Sequence, residues 1–392
     1  MRGLKLTLSA LALLASSVSA QAFDTRASSA YVMDFNTGTV LLAKEADVPL
    51  PPASMSKLMT LYMAFEALSL DTQGTFTLDT KLPVSQAAQA YGGSTMFLEA
   101  GERVTVEDLL RGIIVLSGND ACVVIAEALA GTEAAFARQM TMRAQQLGMT
   151  NSTFANSNGW PKAGHRMSMR DLGLIAAKLI RDYPQFYPMF AEKEFLYDPK
   201  QSANRMNRNP LLGLGIGADG LKTGHTQEAG YGLVGSAKQG DRRIIFVLSG
   251  LESAQARARE SETVVNWAFR QFAQTDLGKA GTKIAEAEVA IGAEPTVGLV
   301  LGEDLSLLLP VNPMTPLKSE VVYSGPIKAK HAVKGEQIAE LIITPEGLPE
   351  TRVPLFADRT IAPHGFVARV LAAAKHVAAR INPESVPESE AS

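Results

Sequence analysis

The 392-residue chain is 46% hydrophobic and 20% charged, with 37 basic residues against 40 acidic and a formal net charge of −3. That composition excludes a mainly disordered chain and gives no electrostatic ground for nucleic acid as a partner. Cys122 is the sole cysteine, and five histidines fall in no ligand-spaced pattern, which excludes an internal disulfide framework and any multi-cysteine metal site; no cofactor is expected.

Residues 1–22 carry Arg2 and Lys5, then the apolar run Leu6–Leu14, then the small-residue stretch Ala15–Ala22 with an A-x-A site at Ala20-Gln21-Ala22. The apolar run is too short to span a bilayer, so the segment reads as a cleaved signal peptide with Phe23 as the first mature residue. Its removal takes away two positive charges and leaves 370 residues with 35 basic and 40 acidic, a net charge of −5. In an oxidising compartment Cys122 has no partner within the chain to mispair with.

Strands are predicted at Ala30–Asp34 and Thr39–Lys44 around the turn Asn36-Thr37-Gly38. Pro51-Pro52 breaks the chain, and a long apolar helix is predicted over Ser54–Leu68. Thr105-Val106-Glu107-Asp108 resembles a capping box opening a helix over Val106–Leu116. Further helices are predicted at Asp120–Ala130, Phe136–Leu147, Met169–Arg181 and Ser261–Gln274, with a strand hairpin at Gly232–Ser236 and Arg243–Ser249.

From about Thr275 the texture changes to short strand-like runs split by Gly and Pro: Lys283–Gly292, Val297–Leu301, Leu305–Leu309, Glu320–Tyr323, Gln337–Thr344 and Arg352–Leu355. A small all-β domain over residues 276–362 is expected, after a main domain over 23–275. Over 363–381, Phe366, Val367, Val370, Leu371, Ala374, Val377, Ala378 and Ile381 recur at helical spacing, with Arg369, Lys375, His376 and Arg380 elsewhere on the wheel. This is a candidate membrane anchor lying in the lipid surface, or else a terminal helix docked on its own domain. An acidic tail, 382–392, follows.

Three short motifs carry chemistry. In Ser54-Met55-Ser56-Lys57, i,i+3 spacing on a helix puts a hydroxyl and an amine on one face, where a lysine of lowered pKa can activate the serine. Ser117-Gly118-Asn119 sets a hydroxyl and an amide on a tight break between two apolar helices; Asn119 as a simple helix cap is the alternative. Lys222-Thr223-Gly224, within Asp219–Thr226, places a cation and a hydroxyl together as a carboxylate site, or forms an ordinary polar hairpin. Each motif alone is weak. Their order, with 63 residues from Ser54 to Ser117 and 105 from Ser117 to Lys222, is specific.

With the surrounding phrases PPASMSKLMT, GGSTMFLEAGE, LLRGIIVLSGNDACV, NRNPLL and DGLKTGHTQEAGYGLVGSA, the chain resembles the low-molecular-mass penicillin-binding proteins that are D-alanyl-D-alanine carboxypeptidases, over nearly all its mature length. The resemblance implies an α/β fold, a penicillin-binding/β-lactamase-like antiparallel sheet flanked by helices, followed by the β-domain. It implies that Ser54 attacks the penultimate D-alanine carbonyl of a peptidoglycan stem pentapeptide, that Lys57 is the base, and that Ser117 passes a proton to the leaving amine. Asn119 would hold the substrate amide, and Lys222 and Thr223 the terminal carboxylate. Gly224 belongs to that motif, and the backbone N–H groups of Ser54 and His225 would form the oxyanion hole. Arg208 and Arg257 match arginines near the site, and Gly93–Phe97 matches a loop that borders it, with Met96 and Phe97 as packing residues.

The resemblance further implies covalent acylation by β-lactam antibiotics and a periplasmic location, peripheral on the outer face of the cytoplasmic membrane. A β-lactamase shares the fold, but its class A form uses a glutamate to activate water, and no glutamate lies between Glu133 and Glu192. A D,D-endopeptidase and a catalytically silent penicillin-binding scaffold are two further readings of the same motifs.

Overall fold

The structure, a computed structural model, describes residues 23–201 and 203–364. The predicted signal peptide, the acidic tail and all but the first two residues of the predicted C-terminal helix lie outside the described residues.

The chain opens with β1 (Ser29–Asp34) and β2 (Val40–Lys44), joined by a turn in which the Asp34 carboxylate accepts from the Thr37 N–H at 2.9 Å. A 3-10 turn, Ala53–Ser56, leads into α1 (Lys57–Leu70). A small ribbon of β3 (Lys81–Pro83) and β4 (Arg103–Thr105) brackets the short α2 (Gln86–Gln89). There follow α3 (Val106–Arg111), α4 (Asn119–Ala130), α5 (Glu133–Gln146) and α6 (Met169–Asp182). The meander β5 (Ala218–Thr226), β6 (Gly230–Gln239) and β7 (Arg242–Leu251) then leads to α7 (Ala254–Gln271).

The five long strands form one antiparallel sheet in the order β2-β1-β7-β6-β5. Its central strands are apolar on both faces because both are covered. On β7, Ile245 and Val247 enter the core under α1, α4 and α6, while Ile244, Phe246 and Leu248 enter a second core under α7. Helix α1 is buried nearly all round, from Leu58 to Phe65, which explains its continuous apolar run. A lysine at its first position is therefore carried into the interior.

Four predicted helices differ from those observed, one of them α5, which opens three residues before Phe136 behind a Thr132 cap that accepts from the Ala135 N–H. The α-helix starts at Lys57 rather than Ser54, because Ala53 at φ 49° holds a tighter turn. The helix predicted to Leu116 is α-helical only to Arg111; Gly112–Leu116 is a π-turn in which the Gly112 carbonyl accepts from both Ser117 and Gly118. Helix α7 starts seven residues before Ser261, at a Ser253 cap that accepts from the Ala256 N–H.

Helix α7 runs directly into β8 (Phe272–Gly278), a strand the sequence pattern did not predict. Arg242 holds that junction: it pairs with the buried Asp34 at 2.7 Å and donates to the Ala268 and Phe272 carbonyls. The all-β region continues with β9 (Lys283–Ala290), β10 (Thr296–Leu301), β11 (Leu305–Pro310), β12 (Lys318–Val322), β13 (Ile327–Lys328), β14 (Gln337–Thr344) and β15 (Thr351–Ala357). Six strands form the sheet β12-β14-β15-β10-β9-β13, and β11 pairs with β8. Ala339, Leu341 and Ile343 of β14 alternate into its core, as Val297, Leu299 and Leu301 of β10 do. Among the described residues no helix is long and apolar enough to cross a membrane.

Candidate active site

The three motifs meet at one end of the large sheet, where the Ala53–Ser56 turn lies against β5. A Cβ placed on Gly224 would stand 3.1 Å from the Pro52 carbonyl and 3.0 Å from Met55, so glycine lets the turn and the strand approach without a side chain pressing between them. The cleft has a volume of about 500 Å³ and is lined by Ser54, Ser117, Arg208, Thr223, Gly224, His225 and Arg257, together with Ser94 and Tyr231. A larger cleft of about 750 Å³ lies in the β-domain and contains none of the motif residues.

Lys57 is fully buried behind Ser54. Its Nζ lies 2.8 Å from Ser54 Oγ, 2.7 Å from Asn119 Oδ1 and 2.7 Å from the Asn158 carbonyl. The Asn119 amide is oriented by its other end, since Nδ2 donates to the Gly92 carbonyl at 2.8 Å. Burial lowers the Lys57 pKa to about 8, and Arg208 adds to that while Asp120 opposes it. The Cys122 thiol is itself pushed up to about 12 by burial, so it is an inert packing group.

Ser117 ends the π-turn in the left-handed conformation, φ 63° and ψ 34°, which turns it out of the helical run and toward the cleft. Its Oγ accepts from Lys222 Nζ at 3.0 Å. Lys222 is also buried, and its other hydrogen bond goes to the Thr223 carbonyl at 3.2 Å. Burial, then Lys57 and Arg208, push its pKa well below the usual lysine value. Arg208 bridges Ser94 Oγ and the Leu116 carbonyl, and Arg257 donates to the Arg208 carbonyl while stacking over Tyr231. The buried Nε of Arg257 has no hydrogen-bond partner among the described residues. The cleft is thus walled by cations.

All ten residues singled out by sequence come together here. Seven line the cleft, and Lys57, Asn119 and Lys222 stand directly behind it. His225 is exposed and its ring stacks on Tyr231 at 3.9 Å. The Gly93–Phe97 loop is held by Asp120, whose carboxylate accepts from the Met96 and Leu98 N–H groups. Met96 packs inside as expected, but Phe97 is 49% exposed, because its positive φ of 63° turns it outward.

Sequence reasoning missed the segment 155–165. Asn158 contributes through its carbonyl, which any residue type provides, so composition carries no signal for it. Glu133 Oε1 fixes this segment by accepting from Ser157 N–H and Oγ and from Asn158 Nδ2. His165, which belongs to no motif, lies 2.7 Å from Ser56 Oγ.

Residues 15–252 match the family described as D-alanyl-D-alanine carboxypeptidase, and residues 272–363 match the penicillin-binding protein 5 C-terminal domain. The chain is 35% identical over 346 residues to the D-alanyl-D-alanine carboxypeptidase DacC of Escherichia coli K12, covering 86% of this chain and 85% of that one. It superposes on the D-alanyl-D-alanine carboxypeptidase DacD of Francisella tularensis with a TM-score of 0.75 at 27% identity, over 87% of this chain and 95% of that one. The ampicillin-bound form of penicillin-binding protein D2 from Listeria monocytogenes gives a TM-score of 0.56 at 29% identity, over 62% of this chain and 98% of that one. A fold with the sheet and helices of these proteins, the β-domain behind it and three motifs converging on one cleft place this chain in the D-alanyl-D-alanine carboxypeptidase family of penicillin-binding serine peptidases.

Proposed function

We propose that the protein is a serine-type carboxypeptidase that removes the terminal D-alanine from peptidoglycan stem pentapeptides through an acyl-enzyme on Ser54. The contacts of Lys57 carry this reading. Two of its three partners, Asn119 Oδ1 and the Asn158 carbonyl, only accept hydrogen bonds. A neutral amine has two N–H bonds for those two and one lone pair, which then falls on Ser54 Oγ. The amine is thereby poised to take the hydroxyl proton as Oγ attacks the penultimate carbonyl. The backbone N–H groups of Ser54 and His225 hold the oxyanion, on the side where the Ala53–Ser56 turn lies against β5. As the tetrahedral intermediate collapses, Ser117 gives its proton to the departing D-alanine nitrogen. The second N–H of Asn119 Nδ2, beyond the one given to Gly92, would hold the substrate backbone, while Lys222, Thr223, Arg208 and Arg257 take the free carboxylate. Water then cleaves the ester and returns Ser54. A β-lactam acylates the same oxygen by opening its ring amide.

The base must be neutral to act. Activity therefore rises with pH through an acid limb near the Lys57 value of about 8 and falls about tenfold per unit below it. The test is D-alanine release, followed across pH, from a diacyl-Lys-D-Ala-D-Ala peptide and from purified monomeric and crosslinked muropeptides. Release from the pentapeptides with an acid limb supports the reading. Cleavage of crosslinked dimers alone makes the enzyme an endopeptidase, rapid turnover of penicillin makes it a β-lactamase, and labelling without turnover makes it a silent binding module.

We further infer an exported, periplasmic protein with a catalytic unit over 23–275, a β-domain over 276–362 and a C-terminal helix that rests on the outer face of the cytoplasmic membrane. The n-region, short apolar run and A-x-A site support export, and the apolar stripe from Phe366 to Ile381 supports the anchor. The mature chain is expected to pellet with anionic liposomes and a chain ending at Ala362 to stay in solution. Equal partitioning of the two removes the anchor.

A further inference from the structure

One segment clasps one face of the nucleophile's turn. Gly159, at φ 82°, lies so close that a Cβ there would stand 1.9 Å from the Ala53 carbonyl oxygen. His165 Nε2 meets Ser56 Oγ at 2.7 Å, the Asn158 carbonyl takes Lys57 at 2.7 Å, and the Ser157 carbonyl takes the Thr60 hydroxyl at 2.5 Å. Positions 53, 56, 57 and 60 fall at i, i+3, i+4 and i+7, a single stripe along the turn and α1. Glu133 secures the clasp at Ser157 and Asn158, and His165 secures it at the other end.

The tautomer of His165 follows from its neighbours. Its Nδ1 accepts from the Ala155 N–H at 3.2 Å, so the ring proton sits on Nε2 and is donated to Ser56 Oγ. The ring is buried edge-on to Phe154 at 5.5 Å. Burial first, then Lys57, Arg166 and Lys162, lower its pKa to about 4, so the imidazole stays neutral wherever the enzyme works.

We propose that His165 is a positioning residue for the acylation base: by pinning residues 155–165 to Ser56 it keeps the Asn158 carbonyl on Lys57 and water out of the amine's pocket, and so sets the pH at which Lys57 accepts a proton. This rests on the reading of Lys57 as the base. Ser54 from its own turn, Asn119, Asp120 and Cys122 from α4, Lys222 from β5 and Arg208 also face that amine. Those groups sit on helices, strands or an arginine held by two hydrogen bonds. Asn158 sits on the clasp. Releasing the clasp admits water, which favours the ammonium and moves the acid limb of acylation to higher pH.

The experiment measures the acylation rate with a fluorescent penicillin from about pH 6 to 10 for the full mature chain and for His165→Leu, His165→Gln, Ser56→Ala and the His165→Leu/Ser56→Ala double variant. His165→Leu is expected to move the acid limb up by about one unit, lowering acylation at pH 7 about tenfold and restoring it at high pH. His165→Gln, whose amide nitrogen reaches the Nε2 position, is expected to keep the wild-type limb. Ser56→Ala is expected to shift it as His165→Leu does, and the double variant to shift it no further. A folded His165→Leu protein with an unmoved limb, or with a rate lowered equally at every pH, overturns the inference. Should His165→Leu not fold, Ser56→Ala decides by the same limb, because it removes only one hydroxyl. A wild-type protein with no acid limb would instead sink the base assignment, which separates the two failures.

Discussion

Ser54→Ala is expected to abolish covalent labelling by fluorescent penicillin and to lower D-alanine release from a diacyl-Lys-D-Ala-D-Ala peptide by more than about 10⁴-fold. The size follows from chemistry: without Oγ no ester forms, and among the described residues no other hydroxyl is hydrogen-bonded to the Lys57 amine. Ser117 Oγ is engaged by Lys222, and Ser56 Oγ by His165, so neither is placed to substitute. The fold should barely notice. Above the Lys57 value of about 8 the amine is neutral and keeps its two acceptors, Asn119 Oδ1 and the Asn158 carbonyl, so there no buried donor is orphaned. Thermal unfolding of the variant is therefore expected within a few degrees of wild type. Labelling that survives in a folded Ser54→Ala protein ends the nucleophile assignment.

Carboxylates near the lysine are committed elsewhere, which bears on the fate of the acyl-enzyme. Asp120 accepts from the N–H groups of Met96, Leu98 and Ala121, and Glu133 from Ser157 and Asn158. Each stabilises a wall of the cleft rather than a water inside it. On the proposed mechanism the deacylating water would be served by Lys57 and Ser117 rather than by a dedicated glutamate. A penicilloyl ester is then expected to hydrolyse slowly, and rapid turnover of penicillin would contradict that mechanism.

What the sequence made legible was whatever side-chain identity and period encode. The run from Leu58 to Phe65, without glycine or proline, reads as a long apolar helix, and the β-branched run Gln337–Thr344 reads as a strand. Ser54, Lys57, Ser117, Asn119 and Lys222 were visible because their chemistry needs those residue types. The backbone's own contributions were not. Nothing in Gly112–Leu116 announces a π-turn, since its residues suit an α-helix equally well; the extra residue is fixed by the shared Gly112 carbonyl and the tight cap at Ser117. Strand β8 was hidden because Gln274, Thr275 and Asp276 are exposed, leaving Phe272 as its one buried side chain. The Asn158 carbonyl and the His165 clasp were hidden because they act through tertiary contacts across about a hundred residues.

Lys222→Met is expected to lower kcat/KM for the peptide by about 10²–10³-fold, since losing one partner of a buried charge pair costs about 2–5 kcal/mol. Lys222 is 2% exposed, and neither of its protein partners, Ser117 Oγ and the Thr223 carbonyl, is an anion. Arg208 and Arg257 add positive charge from other sides. A buried cation so placed is costly until an anion arrives, and the free carboxylate of D-alanine is that anion. Two consequences separate this from mere packing. A peptide ending in a carboxamide should lose about the same factor on the wild-type enzyme, and little more on Lys222→Met, because both changes break one pair. Binding of the acid should also raise the depressed pKa of Lys222, so the complex takes up protons at any pH between its free and bound values. Calorimetry in two buffers of different ionisation enthalpy, on a Ser54→Ala background, reads that uptake. A carboxamide peptide cleaved as fast as the acid would show that the cationic wall serves some purpose other than holding the terminal carboxylate.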